Sequence, residues 1–108
     1  MDDSTMPTEF ATAAGEVLRR VREGRSLSLR QVTVRSGGRF KPSSVASYER
    51  GERQISMERL FALAAVYDIA PERIVAAIAY RVGMGGEDEQ EPDPLLVVDP
   101  LILGSGGR

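Results

Sequence analysis

The stretch Pro42–Arg53, PSSVASYERGER, sets small hydroxyl side chains, a Val and a Tyr three residues apart, two acids, a glycine and two arginines close together. These groups exchange hydrogen bonds and neutralise anions; they do not break bonds. The 108 residues include no cysteine and no histidine, which removes disulfides, ordinary zinc sites, and the commonest nucleophile and general base. Nothing along the chain pairs a nucleophile with a base. The expectation is therefore no catalytic site, no metal, no cofactor and no evident small-molecule ligand. A binding surface is the chemistry on offer.

Charge placement sharpens that reading. The formal total is -2, yet Gly15–Arg59 holds 11 basic residues against 5 acidic ones, a net of +6. Residues 87–108 hold 6 acids against Arg108 alone, a net of -5. A basic segment followed by an acidic tail suits a nucleic-acid partner, although a merely solvated charged surface has the same composition. At 42% hydrophobic and 28% charged, with no apolar run near the ~18 residues of a membrane span, the chain reads as soluble and globular. Its start, MDDSTMPTEF, is acidic and has no apolar signal region, so the expected location is the cytoplasm.

The elements that must position the 42–53 stretch follow from periodicity and punctuation. Phe10, Ala14, Val17, Leu18 and Val21 mark one face of an amphipathic helix over about Glu9–Glu23, with Thr8 as cap and Gly24 as stop. Ser28 caps a second helix of about two turns, with Leu29 and Val32 buried and Gly37 ending it. Pro42 opens a third, whose Val45 and Tyr48 face inward up to Gly51. Ser43, Ala46 and Ser47 then face outward, with Pro42 and Ser44 at the leading end. Ser56 caps a fourth helix that buries Leu60, Leu63, Ala64 and Tyr67, and Pro71 opens a fifth with Ile74, Ile78 and Val82 on one stripe. These elements predict an all-α class, a compact five-helix bundle with a flexible N-terminus (1–8), a domain (9–83) and an acidic Pro/Gly linker with an irregular apolar tail (84–108). The tail segment LLVVDPLIL has three possible fates: packing on the bundle, pairing with another chain, or beginning a second domain.

A short second helix, a tight connection and a short third helix form a helix-turn-helix, the later helix of which enters the DNA major groove. The runs LRRVREGRSLSLRQV, VASYERGER and SMERLFALAAVYDIAPERI, over about residues 10–80, resemble the Xre/Cro family of lambda-repressor-like DNA-binding domains, and GRFKPSSVASYERGER most resembles the BldD-type actinobacterial regulators. That resemblance implies an ion pair between Glu49 and Arg22, since two charges at a three-helix junction are costly to bury unless paired. It also implies base contacts from Pro42, Ser43, Ser44, Ala46 and Ser47; Ser hydroxyls bond several bases and small carbon groups meet the thymine methyl. Arg39, Lys41, Arg50 and Arg53 fall to phosphates.

Two departures stand out. Leu29 replaces a glutamine that reaches a phosphate in this family, and the loop GGRFK is longer than in phage-type members. Arg39 and Lys41 are expected to stand in for that anchor, with Phe40 inserted in the core. Gly15, inside the first helix, costs roughly 1 kcal/mol relative to Ala, so something is expected to pack closely there. BldD-type proteins continue into a cyclic di-GMP-binding domain whose arginine and aspartate signature has no counterpart in residues 87–108, so no ligand is carried over and the chain reads as a short relative or a fragment. The functional expectation is a sequence-specific double-stranded DNA-binding regulator, a repressor acting as a homodimer on an inverted repeat. The competing reading uses the same bundle to bind another regulator or a sigma factor.

Overall fold

In the computed structural model, which describes residues 8–84 and 90–96, each helix begins where a side chain or a proline satisfies its first turn. Thr8 Oγ1 accepts from the Ala11 amide at 2.9 Å and opens α1 (Glu9–Gly24). Ser28 and Gln31 form a reciprocal capping box that starts α2 (Leu29–Arg35). Proline occupies the first turn of α3 (Pro42–Glu49) and of α5 (Pro71–Arg81), where its missing N–H costs nothing. Ser56 caps α4 (Met57–Tyr67) by accepting from Arg59 N at 3.1 Å. The described residues thus form five helices and no strand, as expected.

The core gathers one stripe from each helix: Val17, Leu18 and Val21; Val32; Val45 and Tyr48; Leu60, Leu63 and Tyr67; Ile74 and Ile78, with Phe40 from the α2–α3 loop. Leu29 is only half-buried at its margin. Phe10 departs from the expected inward face of α1 and is 54% exposed. The stripe itself is right, but at its N-terminal end no element among the described residues covers it. There Phe10 overhangs an open groove with Ile55, Met57, Val75 and Met84. The buried positions of that turn are Ala11 and Ala13 instead.

Small residues on α1 have a specific cause. A Cβ on Gly15 would run into the carbonyl oxygen of Tyr48 and lie 2.5 Å from that of Glu49. Hence the expected close neighbour of Gly15 is the C-terminal end of α3, backbone against backbone. The end of α1 also differs from expectation. Gly24 is its last helical residue, and the left-handed position falls two residues later at Ser26 (φ 58°). Gly24 instead lies against the tail: the Leu95 side chain occupies the space its Cβ would take.

Leu95 belongs to residues 90–96, which lie against the bundle. Pro94 is buried and Leu95 packs on the core margin. Arg81 pairs with Glu91 at 3.0 Å and with Glu16 at 2.8 Å, Arg20 pairs with Asp93 at 3.3 Å, and Arg73 donates to the Leu96 carbonyl. The expectations for the N-terminal residues 1–7, for 85–89 and for the apolar run beyond Leu96 lie outside the described residues.

Candidate nucleic-acid interface

Helix α3 is held by its inner face and its end. Val45 and Tyr48 are buried, and their spacing leaves Ser43 exposed and Ala46 and Ser47 half-exposed on the opposite side, with exposed Pro42 and half-exposed Ser44 at the start. The small base-facing candidates therefore share one solvent-facing surface. At the far end, Gly51 takes φ 75°, and the Gly51 and Glu52 amides donate to the carbonyls of Tyr48 and Ser47, both at 3.0 Å. Gly51 is required twice over, because its absent Cβ would sit 3.0 Å from Thr12 Cα.

Arg22 and Glu49 meet as expected. Arg22 Nε donates to one Glu49 oxygen at 2.6 Å and Nη2 to the other at 2.9 Å, while Nη1 donates to the Leu27 carbonyl at 2.8 Å. The pair is fork-shaped and largely out of water, with side-chain exposures of 12% and 6%. The Glu49 hydrogen bond holds the Arg22 guanidinium above its ordinary pKa against the opposing effect of burial. One arginine thus ties the end of α1, the turn after it and the end of α3 together.

The loop before α3 is equally fixed. Gly37 (φ 68°) and Gly38 donate to the carbonyls of Val34 and Thr33, closing α2. Ser36 Oγ donates to Thr33 O and accepts from Phe40 N at 3.1 Å, and Phe40 is fully buried. Two guanidinium groups lie over its ring, Arg39 at 6.0 Å and Arg59 at 5.2 Å. Arg39 also reaches Glu58 at 3.8 Å. Lys41 is exposed at the cap position of α3.

The four cations named from the sequence are thus near α3 but not equivalent. Arg53 lies over the Tyr48 ring at 5.3 Å and makes no ion pair among the described residues. Arg50, by contrast, is engaged by Glu52 through two hydrogen bonds of 2.9 and 3.0 Å. Arg59 was missed, since only the placement of the first turn of α4 beside Phe40 brings it to this side; at the other end of α4, Arg25 donates to the carbonyls of Tyr67 and Asp68. No group of potential metal ligands occurs among the described residues, and no described helix is long and apolar enough to cross a membrane.

Beside this geometry, a short α2 capped at Ser28, a fixed loop, and an α3 whose outer face no other described helix covers, the chain matches the helix-turn-helix family HTH_3 over residues 18–74. The chain belongs to this Xre/Cro-like family. It is similar to the solved DNA-binding domain of S. venezulae BldD, with 39% identity and a TM-score of 0.59, over 62% of this chain and 97% of that one. A crystal structure of the BldD DNA-binding domain matches at the same identity and TM-score, over 64% of this chain and 97% of that one. No curated protein matched.

Proposed function

We propose that this protein is a sequence-specific regulator of transcription that binds double-stranded DNA through α3, as a homodimer on an inverted repeat, and represses from that site. The observation that carries the reading is the outer face of α3: Ser43, Ala46 and Ser47 are small and open, on a helix whose other side is fixed by Arg22 and Glu49. Pro42 and Ser44 stand at its leading end. Small hydroxyl and methyl groups let the helix backbone approach base edges, and serine bonds more than one base. Attraction comes from cations at the margin: Lys41 and Arg53 for phosphates, with Arg39, Arg50 and Arg59 beside them. Likeness to the BldD DNA-binding domain supports the same partner.

A three-residue reading face specifies few base pairs, so useful selectivity calls for two copies on two half-sites one helical turn apart. Occupying that stretch of major groove excludes other proteins from it, which is the basis for repression. Such a protein works where the chromosome is, in the bacterial cytoplasm.

Selection of bound duplexes from a random pool tests the reading. An enriched inverted repeat, bound at roughly 10 nM or tighter at physiological salt, is the expected result. Failure to enrich any motif, with duplex affinity no better than micromolar and indifferent to sequence, would refute it.

A further inference from the structure

From the contacts of Glu52 we infer that this residue is a latch on the reading helix, holding back a cation and a hydroxyl that DNA must claim, and so raising discrimination between the preferred site and random DNA. The inference rests on the DNA-binding reading above. Glu52 follows the left-handed Gly51, and its amide donates to the Ser47 carbonyl at 3.0 Å, which folds the residue back over the end of α3. In that position its two oxygens accept from Arg50 Nε at 2.9 Å and Nη2 at 3.0 Å. One of them also accepts a longer bond, 3.4 Å, from Ser47 Oγ. A single carboxylate therefore engages a base-facing candidate and a phosphate-facing candidate together. The Arg50 hydrogen bonds hold its pKa below the usual carboxylate range, so it carries its full charge at neutral pH.

Non-specific binding is phosphate attraction alone, and it grows with each cation free to release counterions. With Glu52 in place, a phosphate approaching Arg50 meets an anion already bound there. Arg50 is given up only where base contacts by α3 supply the difference, which is at the preferred site. Lys41 and Arg53, which make no ion pair among the described residues, supply the background attraction in the meantime. The latch thus suppresses random binding more than specific binding.

Glu52 is half-exposed and outside the core, so Glu52→Gln keeps the fold and the side-chain shape. The test compares the wild type, E52Q, R50A and the double variant on random-sequence and selected duplexes across a salt series. E52Q is expected to bind random DNA more tightly, with a log–log salt slope steeper by about 0.9, one added phosphate contact. Its preference for the selected site should fall, and the double variant should share the slope of R50A. If wild type and E52Q bind random DNA with one affinity and one slope, the latch is overturned. It is equally overturned if the gain persists without Arg50, or if E52Q loses only specific affinity, as a carboxylate reading a cytosine amino group would. If none of the four binds duplex DNA, the DNA-binding reading fails and the latch with it.

Discussion

Replacing Glu49 by Ala should unfasten α3 from α1 at a cost of about 3 kcal/mol. The figure follows from what is left behind: Arg22 loses hydrogen bonds of 2.6 and 2.9 Å and keeps only the Leu27 carbonyl, with its side chain 12% exposed. Orphaning one partner of a buried pair costs about 3–5 kcal/mol, and the residual exposure of Arg22 places this case at the lower end. For a domain of this size ~1 kcal/mol moves the midpoint by ~4–8 °C, so the melting temperature should fall by roughly 12–24 °C. Arg22→Ala should cost a similar amount. A double-mutant cycle on thermal or urea unfolding should return a coupling of at least 1–2 kcal/mol, because removing the second charge relieves the first orphan. Additive losses below about 0.5 kcal/mol would be those of an exposed pair and would refute the reasoning.

Gly15→Ala should destabilise by about 1–3 kcal/mol although Ala is the better helix former, because its methyl meets the Tyr48 and Glu49 carbonyls; a stabilised variant in urea unfolding would contradict the close contact. Tyr67 is 1% exposed, its hydroxyl bonds to no described residue, and burial pushes its pKa well above the ordinary phenol value. Tyr67→Phe should therefore be neutral or stabilising by up to about 1 kcal/mol, and a loss of more than that would reveal a partner for the hydroxyl. Ending the chain after Met84 removes Pro94, Leu95 and the Glu91 and Asp93 ion pairs from the bundle. About 2 kcal/mol of stability should go with them, mostly from apolar burial; an unchanged melting temperature would show that residues 90–96 contribute nothing.

Much of this was legible before any coordinates, and the reasons are local. Thr8, Ser28 and Ser56 cap helices because a hydroxyl ahead of an apolar stripe satisfies an otherwise orphaned amide, a relation confined to three or four residues. Val45 and Tyr48 fixed the inner face of α3, and with it the outward set. Phe10 shows where periodicity stops: spacing assigns a face, whereas burial needs a neighbour to cover it, and the described residues supply none at the start of α1. Gly24 reads as a helix stop because glycine commonly is one; its close neighbour is Leu95, distant in sequence. The same applies to Gly15, whose cost was visible while the carbonyls opposite it were not. Glu52 lay in plain view two residues from Arg50, but only a left-handed turn at Gly51 brings it over Ser47. Reading that turn together with the R-G-E order would have found the contact.

The claim on which the account depends is that the outer face of α3 reads sequence while the flanking cations supply attraction. Its most direct test is the ratio of affinities for the selected duplex and a scrambled one, measured for the wild type and for Ser47→Leu at a single physiological salt concentration. Ser47 is a half-exposed residue on that face, so the account predicts that the ratio collapses towards one, or that a different site is preferred, while scrambled DNA is bound nearly as before. A Ser47→Leu protein that keeps the wild-type ratio on the same site would contradict it, because α3 would then not be the reading helix.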